Sequence, residues 1–298
     1  MSIVKPFLGA LLLACAATAF AQQNFDKVEI KAIKLNDSTY MLMGAGGNIG
    51  VSVGADAVFM IDDQYAPLTP KIEAAVKAIT DKPVKFVFNT HWHGDHTGGN
   101  ANMGKSGAII VAHDNVLKRM SSEQFNDLFK SKTAPSPKEA LPVVTFAQEV
   151  TFHLNGDDIV AMHVPRAHTD GDAILWFKKG NIVHMGDCFF NGLYPFIDAS
   201  SGGSPEGTVE AVDKILAMVN EQTKIIPGHG PLSDKAGLKA FRDMLATVTG
   251  RVKEMKNAGK KLEDVVAAKP TADFDEKWGK GFLAPAKFVE MIYNGVGK

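Results

Sequence analysis

The stretch Asn89-Thr90-His91-Trp92-His93-Gly94-Asp95-His96-Thr97-Gly98-Gly99-Asn100 packs three imidazoles and a carboxylate into six residues of a chain with only nine histidines in 298 residues. Imidazole nitrogen and carboxylate oxygen are the ligands a borderline divalent cation such as Zn²⁺ prefers. The run follows directly on Val84-Lys85-Phe86-Val87-Phe88, whose β-branched and aromatic residues read as a strand. On a short loop after that strand, His91 and His93 can point one way and Asp95 and His96 another. One segment can then feed two neighbouring metals.

Three more candidate ligands end strand-like runs near Gly or Pro. His168 follows Val160–Val164 in Pro165-Arg166-Ala167-His168, Asp187 follows Ile182–Met185 in Gly186-Asp187-Cys188, and His229 follows Ile225-Ile226 in Pro227-Gly228-His229-Gly230. Loops at one edge of a rigid sheet are where a scaffold presents such groups. Working outward, strand patterns cover 40–43, 49–53, 57–61, 109–111, 150–154, 159–164, 173–177, 182–185 and 224–226. Helical patterns cover 68–80, 114–119, 206–219, 234–262 and 284–294. Residues 121–142, polar and carrying Pro135, Pro137 and Pro142, read as a surface loop or short helix near the site, a candidate lid. Two β-rich halves with outer helices predict an α/β fold, a four-layer α/β/β/α sandwich in one domain.

The composition, 45% hydrophobic and 22% charged, is that of an ordinary globular protein large enough to bury a core without staples. A formal net charge of −1 with no long basic run argues against a nucleic-acid partner and leaves a small-molecule substrate as the expectation. Residues 1–21 read as a cleaved export signal: Lys5, an apolar run from Phe7 to Ala19, then Ala19-Phe20-Ala21. The run is too short for a permanent span, so the mature domain is expected at 22–298, with a helical C-terminal segment, in the periplasm or secreted. Leu12-Leu13-Ala14-Cys15 resembles a lipoprotein box and offers a membrane-anchored alternative through Cys15. If Cys15 leaves with the signal, Cys188 is alone and no internal disulfide exists; it reads as a packing residue. His153, His163 and His184 fall inside strand runs and read as structural, and His113 as a residue beside a helix start. Nothing in the pattern sets the oligomeric state.

The ordered set His91-x-His93-x-Asp95-His96, His168, Asp187 and His229 resembles the motif series of the metallo-β-lactamase superfamily, with the match running from about residue 30 to 235. Asp62, in Phe59-Met60-Ile61-Asp62, resembles the first motif, a buried carboxylate beneath the metal loop, although Asp63 is adjacent. The resemblance implies two Zn²⁺ per chain. His91, His93 and His168 would hold one, Asp95, His96 and His229 the other, and Asp187 would bridge them. It implies a hydrolase in which a metal-bridging hydroxide attacks a carbonyl or phosphoryl centre, with Asp95 and Asp187 positioning it. Asp62, Asp170 and Asp172 are the expected outer partners of the imidazoles.

Fold and metals do not choose the substrate. Export favours β-lactam rings. Asp187 departs from the true β-lactamases, which carry Cys or a non-ligand such as Ser at this motif, and is more similar to thioesterase, lactonase and phosphodiesterase branches. Cys188 is one residue off that Cys position. The loop Phe189 to Ser204 is a candidate substrate wall, with Tyr194 and Phe196 either contacting substrate or packing inside. A non-hydrolytic di-iron redox or metal-binding protein is the reading from another class, and no flavin-domain pattern accompanies it.

Overall fold

The strand Val58–Ile61 is buried at all four positions, as a strand covered on both faces must be. Phe59 and Ile61 face one apolar layer, with Phe88, Ala161, Leu175 and Phe177. Val58 and Met60 face another, with Ile72, Val76 and Met103. That double burial sets the architecture. The computed structural model describes residues 24–297; the expected export signal and Cys15 lie outside them.

The chain opens with β1 (Lys31–Lys34), β2 (Thr39–Met43), β3 (Ile49–Ser52) and β4 (Val58–Ile61), an antiparallel meander. Helix α1 (Thr69–Lys77) crosses to β5 (Val84–Phe88), parallel to β4. Two short helices, α2 (Gly94–Thr97) and α3 (Asn100–Lys105), precede β6 (Ile109–His113) and α4 (Asp114–Met120). A small hairpin, β7 (Gln124–Asn126) with β8 (Ser131–Thr133), leads to β9 (Val144–Phe146), which closes a seven-stranded sheet in the order β1-β2-β3-β4-β5-β6-β9. The second sheet, five-stranded, runs in order through β10 (Glu149–Leu154), β11 (Asp157–His163), β12 (Ala173–Phe177), β13 (Ile182–His184) and β14 (Lys224–Ile226). Helix α5 (Pro205–Met218) joins β13 to its parallel neighbour β14, and α6 (Lys235–Asn257), α7 (Leu262–Ala267), α8 (Asp275–Trp278) and α9 (Pro285–Gly295) finish the chain.

The two sheets pack through Met41, Phe59, Phe88 and Val111 on one side and Ile159, Leu175, Phe177 and Ile226 on the other. Helices α1 and α3 cover the outer face of the first sheet. Val183, Ile225, Val212, Phe241 and Phe288 join the second sheet to α5, α6 and α9. The result is the expected α/β/β/α sandwich. Among the described residues, no helix is long and apolar enough to cross a membrane.

Residues 121–142, read from sequence as a loop or short helix, form the β7–β8 hairpin and a single turn at Lys138–Ala140. Their prolines and polar residues hide a strand pair too short to show a period. The second half of the histidine cluster becomes α2 and the run after Gly98-Gly99 becomes α3, two short helices that sequence propensity undervalues. Asn89, at the end of β5, and Asn100, at the start of α3, exchange side-chain hydrogen bonds of 3.0 and 2.8 Å. That amide pair closes the histidine loop at its neck.

Candidate metal centre

Strand ends bring the predicted residues to one edge of the sandwich. His91, His93, His168 and Asp187 offer ligand atoms all within 4.8 Å of one another, and Asp95, His96 and His229 form a second such group. Asp187 lies between them. Its Oδ2 is 3.7 Å from His91 Nε2 and 3.5 Å from His168 Nε2. Its Oδ1 is 3.1 Å from His96 Nε2 and 3.4 Å from His229 Nε2. Asp95 Oδ2 is 3.3 Å from His229 Nε2.

Each imidazole on the histidine loop and His168 is turned by a bond on its far nitrogen. Asp62, at the end of β4 with a left-handed φ of 63°, accepts from the Thr90 amide and the Thr90 hydroxyl, both at 2.8 Å. It also accepts from His96 Nδ1 at 2.7 Å. Because the Thr90 hydroxyl proton goes to Asp62, its oxygen is left to accept from His91 Nδ1 at 3.0 Å. His93 Nε2 donates to Asp198 at 3.1 Å, and His168 Nδ1 donates to the Phe196 carbonyl at 2.7 Å. The outward nitrogens thus carry the protons. The inward ones, His91 Nε2, His93 Nδ1 and His168 Nε2, carry lone pairs. Burial opposes a charge on His96, but Asp187, Asp95 and Asp62 raise its pKa well above the ordinary imidazole range, so without a metal its Nε2 also holds a proton, 3.1 Å from Asp187 Oδ1.

That arrangement is the test of fit for a cation. His93 Nδ1 and His168 Nε2 approach to 2.8 Å with both their protons committed elsewhere. Buried His91 Nε2 and Asp187 Oδ1 have no hydrogen-bond partner. Buried polar atoms left unpaired are costly. Lone pairs converging on one point from N and O donors are what a divalent transition metal satisfies.

The electrostatics agree. Burial, helped by the charge of His96, holds His91 well below the ordinary imidazole range, and burial lowers His168 to about 4. Both are neutral at physiological pH, as metal-binding imidazoles must be. Burial opposes ionisation of Asp187, but His96, His229, His91 and His168 outweigh it and hold its carboxyl well below the usual range. For His229 burial again opposes the charge, and the Asp187 and Asp95 carboxylates raise its pKa to about 9. The second group thus sets the carboxylates of Asp95 and Asp187 against the imidazoles of His96 and His229.

Close backbone approach makes room for this cluster. A Cβ on Gly228 would sit 2.0 Å from Asp187 Oδ1, and one on Gly47 would sit 2.0 Å from His96 Cε1.

Three expectations from sequence need correction. Asp170 does not orient an imidazole; it turns into a bidentate pair with Arg119, 2.7 Å at each oxygen. Asp172 folds back on its own turn, accepting from Thr169 N at 2.8 Å and Thr169 Oγ1 at 2.5 Å, and burial raises its carboxyl to about 8. It braces the His168 turn and touches no imidazole through its side chain. Tyr194 is not a wall residue. It is buried, stacked on Phe288 at 4.2 Å, and donates to Asp275 at 2.8 Å. Phe196 does face the site, with its ring 5.7 Å from those of both His93 and His168.

Sequence reasoning missed Asp198, and with it the partner of His93. Its signal is local: an Asp followed by Ala199-Ser200-Ser201 caps a turn, accepting from the Ser200 and Ser201 amides at 3.0 and 3.3 Å. Phe190, whose ring stacks on His229 at 4.9 Å, was also passed over. The remaining histidines lie outside the cluster. His153 is exposed beside Asp158, His113 caps α4 through Asn115 N, His163 stacks on His113, and His184 bonds the Asn48 carbonyl. Cys188 is buried, in no disulfide among the described residues, and its thiol donates to Asp172 Oδ2 at 3.9 Å.

A family profile described as the metallo-beta-lactamase superfamily matches residues 46–229, from the turn after β2 to the last histidine of the cluster. The chain belongs to the metallo-β-lactamase superfamily. It is 22% identical over 235 residues to Metallo-beta-lactamase IND-1 of Chryseobacterium indologenes, covering 76% of this chain and 90% of the relative. It is 24% identical over 214 residues to Beta-lactamase-like protein 2 homolog of Caenorhabditis elegans, where it spans 64% of the relative's length and 68% of its own. Among solved structures, a metallo-beta-lactamase from Pontibacter korlensis superposes with a TM-score of 0.60 at 17% identity, over 73% of this chain and 99% of that one. The sec-alkylsulfatase Pisa1 from Pseudomonas sp. superposes with a TM-score of 0.68 at 15% identity, over 90% of this chain and 50% of that one. The chain is thus a superfamily hydrolase with a candidate metal site at His91, His93, His168 and Asp187.

Proposed function

We propose that this chain is a binuclear zinc hydrolase of small carbonyl compounds, acting in the periplasm or after secretion. The observation that carries the reading is the position of Asp187, one carboxylate oxygen toward each group of ligands. His91, His93 and His168 would hold one ion, and Asp95, His96 and His229 the other. Two divalent ions there would lower the pKa of a water from about 15.7 to about 7 and polarise a carbonyl oxygen. The chain's own residues fix the rest. Thr90, Asp62, Asp198 and the Phe196 carbonyl keep each imidazole's free nitrogen inward. Asp95, whose burial is outweighed by His96 and His229 so that its pKa falls to about 2, stays ionised to face the leaving group.

The substrate reading starts from relatives named as metallo-β-lactamases, which points to a β-lactam ring. A second reading, a lactone or thioester, draws on the cavity over the cluster: none of its lining residues is Lys or Arg. Outside the cluster itself, to which His229 belongs, an anion such as a phosphodiester would meet no Lys or Arg in the lining. The test is elemental analysis followed by turnover of a chromogenic cephalosporin, an aryl thioester, a γ-lactone and an aryl phosphodiester. Two zinc ions per chain and chelator-sensitive hydrolysis of a carbonyl substrate are expected. Hydrolysis of none, or two irons per chain with no turnover, would overturn the proposal in favour of a redox or metal-binding role.

A further inference from the structure

The cavity over the metal cluster, about 480 Å³, is walled mainly by aromatic rings: Tyr65, Trp92, Phe129, Phe190, Phe196 and Phe282. They form tiers. Phe196 and Phe190 lie against ligand imidazoles, Phe196 facing His93 and His168 and Phe190 stacked on His229. Phe129 lies on Phe196, ring centres 5.1 Å apart. At the rim, Phe129 is 46% exposed and Phe282 65% exposed, so two large apolar side chains stand in water. They come from unrelated segments, the β7–β8 hairpin and the turn before α9. Apart from the cluster residues His93, Asp95, Asp187 and His229, the polar lining is Asn126, Ser131 and Thr133, all uncharged and all from the same hairpin.

Taking the hydrolase reading as its base, we propose that this cavity is a cage for the apolar arm of a neutral acyl substrate, a lactone, thioester or ester whose carbonyl sits at the metal cluster. Phe129 and Phe282 are its specificity-determining residues. An apolar arm laid between the tiers removes both exposed rings from water together with its own methylenes. Held between the tiers and away from the cluster, a carboxylate or sulfate at the end of that arm would be desolvated with no Lys or Arg in the lining to receive it. In the reaction, a water oxygen bonds to the acyl carbon and the acyl bond to oxygen or sulfur breaks. One water proton leaves on the alcohol or thiol, and the acid remains on the apolar arm.

The experiment uses the zinc-loaded protein. One arm measures kcat/KM for p-nitrophenyl acetate, butyrate and octanoate and for a p-nitrophenyl ester of equal length ending in a carboxylate. Full burial is worth about fourfold per methylene. A rise of more than about tenfold from acetate to octanoate is expected, absent for the carboxylate-ended ester. The Phe129→Ser, Phe282→Ser double variant should flatten the series. A second arm measures binding of 1-octanol by calorimetry, which needs no turnover, and the double variant should weaken it about tenfold. If esters turn over with no chain-length dependence and octanol does not bind, the cage is wrong and the hydrolase stands. If octanol binds as expected and nothing is hydrolysed, the cage stands and the hydrolase reading falls. Equal octanol binding by wild type and variant also overturns the cage.

Discussion

Asp198→Asn isolates the contribution of one buried carboxylate to the metal centre. Asp198 is 2% exposed. Its Oδ2 receives His93 Nε2–H at 3.1 Å and the Ser201 hydroxyl at 2.7 Å, while Oδ1 receives the Ser200 and Ser201 amides. Asparagine keeps the shape and one acceptor. If that acceptor stays on the turn, the amide NH₂ faces His93 Nε2, and two donors confront each other. The ring then escapes by moving its proton to Nδ1, the nitrogen that faces His168 Nε2 at 2.8 Å. The proton would occupy the place of the cation. If the amide flips, the same donor conflict moves to the turn. Either way one charge-assisted hydrogen bond is lost, about 1.5–3 kcal/mol. The pKa of Asp198 points the same way: burial would raise it, but the hydrogen bonds from His93 and Ser201 bring it from 3.8 to about 2. A loss of about 1.5–3 kcal/mol corresponds to between roughly tenfold and a hundredfold in metal affinity, as for outer-sphere partners elsewhere. Zinc affinity by chelator competition, with the stoichiometry of the variant, is the assay. Wild-type affinity for both ions with unchanged turnover would refute the role given to Asp198.

Further outcomes follow from the same geometry. Asp187→Ala should drop zinc content below two per chain and cost turnover more than the roughly hundredfold of an outer partner; full content and activity would remove Asp187 from the ligand set. Gly228→Ala places a methyl 2.0 Å from Asp187 Oδ1, and a shift of about 1 Å in a reacting group costs about a hundredfold in kcat, so steady-state kinetics should show that loss in a folded protein by circular dichroism. The chelator-stripped protein should lose thermal stability from pH 6.5 to 9. Burial opposes the charge on His229, but Asp187 and Asp95 carry its pKa to about 9, above the 6.5 of the unfolded chain. Asp172, raised by burial to about 8, has the same sign. Both hold in the folded state a proton that the unfolded chain has released, so their contribution fades as pH rises through these values. Zinc should reverse the His229 part of the trend, since binding there displaces the imidazole proton, and melting curves with and without zinc across that range decide it.

The layers were legible because the central strands are continuous apolar runs ended by ligand-bearing turns. Val58–Ile61 leading to Asp62, and Val84–Phe88 leading to His91, carry that information within a few residues. The residues that gather at the candidate metal site were readable for the same reason. What failed was reading partners by proximity in the chain. Asp170 and Asp172 lie beside His168, yet the turn points their side chains to Arg119 and Thr169. The residue that orients His93 lies 105 positions away, where no local pattern connects the two. The loop position of Tyr194 left open whether it contacts substrate or packs; it packs, because α8 and α9 fold over it, with Asp275 and Phe288 as its contacts. The hairpin at 124–133 stayed hidden because its strands are three residues each, too short for alternation to register.

The loop from Phe196 to Ser201 carries more than one duty. Its carbonyl at 196 aims His168, its carboxylate at 198 aims His93, its Ser200 hydroxyl accepts from the Asp127 amide of the hairpin, and its Ser201 hydroxyl accepts from Trp92. The ring of Phe196 meanwhile lines the cavity. Such a segment constrains how the protein can diversify. Side chains can change at Phe196 while the main chain keeps its grip on the imidazoles, but a gained or lost residue would break the metal site at the same stroke. New substrate preferences are therefore most accessible through length changes in the β7–β8 hairpin and the turn before α9, which touch the cavity and hold no ligand.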